Sequence, residues 1–137
     1  NGTMQKISDY KGHIVLVYLV ATWCSSCIVG TQALAKNIDF FSNKNVTIIE
    51  LELYKDLGYH GPNINRFINT SVNNISERNK IIGGYATYNM TKLYDAKAYL
   101  DLYYLINTKG KIVYVNGAPK ETMGLLKNAV NKINIKH

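Results

Sequence analysis

The sequence predicts an α/β domain in which helices cover both faces of a central sheet. Residues 13–20 form a run that is apolar at almost every position, which is typical of a strand buried on both faces. A helical pattern and a second β-rich run follow, and the order strand, helix, strand predicts a parallel pair. The 137 residues, of which 47% are hydrophobic and 18% charged, fit one globular domain.

The first helix follows the buried strand within a few residues. Apolar residues recur at helical spacing from Ile28 to Phe41, which predicts one helix from about Ser25 to Ser42. Residues 46–53 then predict the second strand. Together these elements form a strand–helix–strand unit.

The middle of the chain carries weaker signals. Glycines and Pro62 open a loop, and a short helix is predicted over residues 62–68. Residues 73–87 are rich in Asn and Gly, and no element is predicted there. Thr91 can cap a helix over residues 92–99.

The last part of the chain predicts a hairpin and a helix. Residues 102–106 and 111–115 read as two strands joined by a short loop that contains Gly110. Pro119 opens a final helix that places four apolar residues on one face: Met123, Leu126, Val130 and Ile133.

The net charge of +7 does not indicate a nucleic-acid-binding protein. The lysines are scattered, no block of basic residues occurs, and no zinc-finger spacing is present. The charge fits solubility, or attraction to an anionic membrane surface or an acidic partner. The sequence has no apolar run long enough for a membrane span.

The two cysteines, Cys24 and Cys27, carry the strongest chemical signal. A disulfide between them would close a very small loop and restrain the unfolded chain little, so a structural staple is disfavoured. The motif ATWCSSC at residues 21–27 lies between the buried strand and the helix. The helix N-terminus favours the thiolate of Cys24, which predicts a nucleophile there. Cys27, one turn further, is expected to be more buried and to resolve the intermediate, with Trp23 shielding one side.

Three other interpretations of the cysteine pair remain open. A structural zinc site needs four ligands, and the histidines, His13, His60 and His137, are not at paired spacing. Haem attachment needs a histidine after the second cysteine, where Ile28 stands. Two inert buried cysteines are also conceivable, although the position between strand and helix opposes this.

The motif and its flanks resemble the thioredoxin superfamily. Residues 8–12, followed by the buried strand and ATWCSSC, are most similar to TlpA/ResA-type thiol-disulfide oxidoreductases, and residues 105–113 match that family's strand–turn–strand segment. The resemblance implies a thioredoxin fold, a single domain with an insertion at about 55–90, and a truncated N-terminal hairpin. It implies dithiol–disulfide exchange with no bound cofactor and no metal, because the redox-active group is the Cys24–Cys27 disulfide.

The chain departs from the family at two places. The family's cis-proline, which shapes substrate docking, would fall near Asp101, so Asp101 is expected beside the cysteines with a trans peptide bond. Leu100, Asp101 and Trp23 are therefore the predicted substrate-binding residues. The ResA-type glutamate after the second cysteine is replaced by Gly30. The metal-binding histidine of Sco-like copper chaperones would fall near Tyr99, which disfavours copper.

Glu50 is the candidate acid that takes the proton of Cys27. It interrupts the second strand, and in the family alignment it neighbours Tyr18, which stands where thioredoxins carry a buried aspartate. The Tyr18 hydroxyl is therefore the suggested partner of the Glu50 carboxyl group. A carboxyl group inside a sheet costs free energy unless it is paired or protonated, so a function is worth considering. The alternative is that Glu50 and Glu52 point toward a sheet end and meet water or lysines.

The resemblance also suggests a compartment and partners. An export signal or membrane anchor is expected upstream of residue 1, with protein thiol or disulfide substrates outside the cytoplasm and a membrane electron donor. The Asn-rich sequence contains five sequons where chance gives about two, which fits export or composition alone. A monomeric reductant is expected. A disulfide oxidant or isomerase, and a non-enzymatic metal- or partner-binding module, are the rivals.

Overall fold

A five-stranded mixed sheet organises the computed structural model, which describes residues 7–95 and 97–136. The strand order is β3-β2-β1-β4-β5. Within the described residues the elements are β1 Ile14–Val20, α1 Ser25–Lys36, α2 Ile38–Asn43, β2 Val46–Glu52, α3 Ile64–Ser71, α4 Ile75–Arg78, β3 Ile81–Tyr85, α5 Tyr88–Tyr94, β4 Leu102–Ile106, β5 Ile112–Gly117 and α6 Pro119–Lys136.

Strand β1 lies at the centre of the sheet. It pairs in parallel with β2, where Tyr18 stands opposite Glu50, and antiparallel with β4. Strand β3 extends the sheet in parallel beyond β2, and β4 and β5 form the predicted antiparallel hairpin. The prediction of a mixed sheet, with a parallel first pair and Glu50 beside Tyr18, is confirmed.

Both faces of β1 are buried because its alternating side chains enter two different cores. Leu16 and Tyr18 belong to the core beneath α1, α3 and α6. Val15 and Val17 belong to the core on the other face, where Met90 of α5 packs. Helices therefore cover both faces, as predicted.

The single helix predicted from Ser25 to Ser42 is wrong, because it is divided into α1 and α2 at Asn37. Asn37 has a non-helical backbone, and its side-chain amide donates to the carbonyl oxygen of Ala33 at 2.8 Å. This local hydrogen bond offers the backbone an alternative to continuing the helix.

Two other helices lie at shifted positions. The predicted helix over 62–68 is α3, which begins after Asn63 because the Asn63 side chain accepts from the Arg66 amide at 2.8 Å. The predicted helix over 92–99 is α5, which is capped by Thr87 rather than by Thr91. The Thr91 hydroxyl accepts instead from the Tyr54 amide at 3.0 Å.

The segment without a predicted element contains α4 and the edge strand β3. Gly83 and Gly84 of β3 lie where side chains would collide: a Cβ at Gly83 would meet Asn65 Oδ1 of α3 at 2.6 Å. At the other end of the chain, the expected remainder of the N-terminal hairpin lies partly outside the described residues, and Ile7–Tyr10 form a 3-10 helix. No helix of residues 7–95 and 97–136 has the length and apolar character needed to cross a membrane.

Candidate active site

The two cysteines lie at the junction of β1 and α1. Cys24 is the N-cap residue of α1, and its sulfur accepts from the Cys27 amide at 3.3 Å. The Cys27 side chain lies inside the first turn and is fully buried, whereas Cys24 is 4% exposed. The predicted positions, Cys24 at the helix start and Cys27 deeper, are confirmed. The sulfurs are close enough to exchange a disulfide with modest side-chain movement, since both lie in one cluster whose ligand atoms are within 4.8 Å.

The surroundings of the two sulfurs differ. Burial raises the pKa of the Cys27 thiol, and its contact with Cys24 and the nearby Asp101 carboxylate act in the same direction. The Cys24 sulfur contacts the Ser26 hydroxyl at 3.0 Å as well as the Cys27 amide. Hydrogen-bond donors at a helix N-terminus stabilise a thiolate. Hydrogen-bonding groups therefore surround the Cys24 sulfur, whereas burial favours the protonated form of the Cys27 thiol.

Asp56 holds the loop before Cys24, and the sequence analysis missed it. Its carboxylate accepts from the Thr22 amide at 2.8 Å and from the Thr22 hydroxyl at 2.5 Å. The residue lies in a turn, residues 55–57, whose φ angles are all positive. One signal was available: parallel strands β1 and β2 end at the same sheet edge, so the loop after β2 must border the loop after β1.

Trp23 forms an exposed aromatic pair beside the cysteines. Its indole N–H donates to the Asp56 carbonyl oxygen at 2.6 Å, and its ring packs edge-on against Tyr59 at 5.1 Å between centroids. Trp23 is 38% exposed and Tyr59 68%. The two rings offer an apolar surface next to Cys24, and Tyr59 is a second residue that the sequence analysis missed.

Asp101 lies beside the cysteines, as predicted. One of its carboxylate oxygens is within 4.8 Å of both sulfurs, and Oδ1 accepts from the Tyr18 hydroxyl at 2.7 Å. Its φ of 67° is in the left-handed region, and its carbonyl oxygen accepts from the Ala118 amide at 3.1 Å. No cis peptide bond occurs among the described residues, which agrees with the trans bond expected here.

Gly30 accounts for the absence of the ResA-type glutamate. A Cβ at this position would overlap with the Tyr18 hydroxyl and lie 2.8 Å from Tyr18 Cζ. Any side chain at position 30 would therefore displace Tyr18 and its hydrogen bond to Asp101. In the sequence Gly30 is only a departure from the family pattern, whereas in the structure it makes room for Tyr18.

Glu50 is fully buried, so the alternative that it reaches water at a sheet end is wrong. Its carboxyl group accepts from the Thr31 hydroxyl at 3.0 and 3.1 Å, and that hydroxyl is also 2.8 Å from the Cys27 carbonyl oxygen. The suggested partner of Glu50, the Tyr18 hydroxyl, is bonded to Asp101 instead. Burial raises the pKa of Glu50 to about 8. The hydrogen bond from Thr31 lowers this pKa, and the negative charge of Asp101 raises it further.

A protonated Glu50 fits the hydrogen bonds around Thr31. The Thr31 hydroxyl has one proton, which cannot serve the Cys27 carbonyl and the Glu50 carboxylate together. When Glu50 carries a proton, it can donate to Thr31 while Thr31 donates to Cys27. The hydrogen bonds thus connect Glu50, through Thr31, to the main-chain carbonyl of Cys27 rather than to its sulfur.

The remaining predicted site residue, Leu100, is half-buried and packs against both cores. It anchors the loop that carries Asp101. A cavity of about 650 Å³ lies on the other face of the sheet, between β1 and α5, and neither cysteine lines it. Cys24, Cys27 and Asp101 meet instead at the end of the sheet where β1 ends and β4 begins.

The sequence profile of the AhpC/TSA family matches residues 1–115 of this chain. Among curated proteins, none matches the sequence. Solved structures match the fold at low sequence identity. A thioredoxin-like protein from Aeropyrum pernix aligns with a TM-score of 0.72 at 15% identity, over 96% of this chain and 84% of that one.

Two further structures are similar over nearly their whole length. The exposed lipoprotein thioredoxin of Streptococcus pneumoniae aligns with a TM-score of 0.67 at 18% identity, over 95% of this chain and 93% of that one. ScoI from Arabidopsis thaliana, solved with copper bound, aligns with a TM-score of 0.60 at 15% identity, over 90% of this chain and 88% of that one. These likenesses show that the fold is thioredoxin-like.

Proposed function

This chain belongs to the AhpC/TSA family of thioredoxin-like redox enzymes, and from that premise we propose that it reduces disulfides of protein substrates outside the cytoplasm. The observation that carries the proposal is the placement of Cys24 at the N-cap of α1, with its sulfur on the Cys27 amide and Cys27 buried behind it. In this proposal the Cys24 sulfur makes the first attack and the more deeply buried Cys27 sulfur makes the second.

The reaction has two exchanges. The Cys24 thiolate attacks one sulfur of the substrate disulfide, a Cys24–substrate bond forms, and the other substrate sulfur leaves as a thiolate. Cys27 then loses its proton and attacks the Cys24 sulfur. The Cys24–Cys27 disulfide forms and the second substrate thiolate leaves. Two electrons pass from the protein to the substrate, whose two thiolates take up protons.

Glu50 supports the second exchange in this proposal. Cys27 is reactive only as a thiolate, and its pKa is raised by burial, so its proton needs an acceptor. Glu50 is buried on the same side of the sheet, and its pKa of about 8 makes the ionised carboxylate a stronger base than an ordinary glutamate. Only the ionised form can accept the proton, so the second exchange should become faster as the pH rises through about 8. Thr31 and a solvent molecule that enters with the substrate would complete the path to the sulfur.

The substrate docks on the surface around Cys24. The rings of Trp23 and Tyr59 supply an apolar platform on one side. The loop of Leu100 and Asp101 borders the sulfurs on the other. An extended chain with an apolar residue beside its cysteine would fit this surface.

The location and the electron donor rest on resemblance. The sequence is similar to TlpA/ResA-type enzymes, and one structural neighbour is described as an exposed lipoprotein. That likeness supports the proposal of a membrane anchor upstream of residue 1 and of a membrane electron donor that reduces the Cys24–Cys27 disulfide. Fractionation of the native cells, with protease added to intact cells, tests the location.

The direction of exchange is tested by the reduction potential. Equilibration with glutathione buffers of known ratio, read by mass after acid quenching, gives the potential of the Cys24–Cys27 couple. A value near that of thioredoxin, about −270 mV, supports the reductant. A value near about −120 mV, as in a strong oxidant, would assign the rival function of disulfide oxidant.

A further inference from the structure

The sulfurs of Cys24 and Cys27 and a carboxylate oxygen of Asp101 form a cluster of three cation ligands. All three atoms lie within 4.8 Å of one another, and all three residues are buried. The cluster unites two distant parts of the sequence, because Asp101 comes from the loop before β4. We propose that the reduced protein binds one Zn²⁺ ion through Cys24, Cys27 and Asp101, with a water molecule in the fourth position.

The donor set selects the class of cation. Thiolates bind Zn²⁺ at about 2.3 Å and carboxylates at about 2.0–2.2 Å, in tetrahedral geometry. In such a tetrahedron the ligand atoms are about 3.3–3.8 Å apart, so no pair of ligand atoms here would have to close by more than about 1 Å. Two sulfurs and one oxygen match a borderline-soft ion better than the hard ions Ca²⁺ and Mg²⁺, which take oxygen ligands.

The neighbours of the three ligands suit a cation site. Tyr18 donates to Asp101 Oδ1, which orients the carboxylate and leaves its second oxygen for the ion. The Cys27 amide and Ser26 surround the Cys24 sulfur. These groups partly offset the negative charge of three anionic ligands.

Metal binding and disulfide formation exclude each other. A Cys24–Cys27 bond removes both thiolate ligands and leaves only the Asp101 carboxylate, so the oxidised protein has no site. A bound Zn²⁺ ion in turn occupies the lone pairs that Cys24 needs for attack. The ion would therefore hold the reduced protein inactive.

Competition with a chromophoric chelator under anaerobic conditions tests the site without an activity readout. The reduced protein should take up one Zn²⁺ per chain. The disulfide form should not compete with the chelator for Zn²⁺. The Asp101→Asn variant should bind at least about tenfold more weakly. Glu121→Gln is the control, because it removes a carboxylate at an exposed position of α6, outside the ligand set, and should leave the affinity unchanged. Equal affinities of the wild-type protein and Asp101→Asn would overturn the proposal.

X-ray absorption at the zinc edge supplies a readout that needs no variant. The proposal predicts two sulfur ligands at about 2.3 Å and lighter ligands at about 2.0–2.2 Å. Four sulfur ligands, shared between two chains, would contradict it, as would an absence of sulfur. Both readouts measure binding alone, so their failure leaves the thiol-exchange function untouched.

Discussion

The Tyr18 ring occupies the space that a side chain at Gly30 would need. A Cβ on Gly30 would overlap with the Tyr18 hydroxyl, and it would also lie 2.8 Å from Tyr18 Cζ and 3.0 Å from Pro119 Cγ. The Tyr18 hydroxyl in turn donates to Asp101, 83 residues away in sequence. The small residue in α1 thus permits a link between the central strand and the loop beside the cysteines.

Replacing Gly30 by alanine should destabilise the protein. Overlap in a well-packed core costs about 1–3 kcal/mol, and it outweighs the gain of up to about 1 kcal/mol from replacing a helical glycine. Urea unfolding measures the difference. Gly124→Ala is the control, since nothing lies within 4 Å of a Cβ there, and it should be neutral or stabilising. Equal stability changes for both variants would refute the packing argument.

The two cysteines should differ in their reaction with iodoacetamide. At pH 6 the Cys27→Ser variant, which retains Cys24, should be alkylated at least about tenfold faster than Cys24→Ser, because the Cys27 pKa is raised by burial. Rates in denaturant serve as the control and should become similar. A faster reaction of the variant that retains only Cys27 would reverse the assigned roles.

Replacing Glu50 by glutamine should slow the second exchange. The amide cannot accept a proton from Cys27, whereas the attack by Cys24 does not need Glu50. Acid-quenched single-turnover experiments should show accumulation of the mixed disulfide with an unchanged first rate. Glu121→Gln, at an exposed position in α6, is the control. Unchanged resolution between about pH 5 and pH 9 would exclude Glu50 as the acceptor and make Glu52 the next candidate.

The same variant should alter how stability depends on pH. Glu50 has a folded-state pKa of about 8 against 4.5 in the unfolded chain, so the folded protein binds the extra proton between these values. The contribution of Glu50 to the free energy of unfolding is complete below about pH 4.5 and is lost as the pH rises through about 8. In this range the free energy of unfolding falls by at most about 1.4 kcal/mol per pH unit. In Glu50→Gln the free energy of unfolding should depend less on pH between these two values. The same pH dependence of the free energy of unfolding in both proteins would contradict a protonated Glu50.

The central part of the fold could be predicted because its signals are local and strong. The buried run that became β1, the pattern of α6 and the hairpin glycine Gly110 each determine one element. The cysteine positions follow from the junction of strand and helix. Glu50 was located correctly as a buried neighbour of Tyr18, since parallel pairing in register is regular.

Other features depend on contacts that a single sequence does not display. Thr87 and Thr91 are equivalent as potential caps, and only the hydrogen bond from Tyr54 to Thr91 decides between them. The glycines of β3 argue against a strand locally, yet the approach of α3 requires the glycine at position 83. Asp56 was missed because its position in a left-handed turn is set by Thr22, in another loop.

Trapping of the mixed disulfide tests the proposed chemistry most directly. The reduced Cys27→Ser variant is incubated with a disulfide-bonded protein such as insulin, and the products are digested without reduction and read by mass spectrometry. We expect a covalent adduct joined at Cys24, and no adduct with Cys24→Ser. Reduction of insulin by the wild-type protein without any trapped Cys24 adduct, or an adduct formed through Cys27, would contradict it.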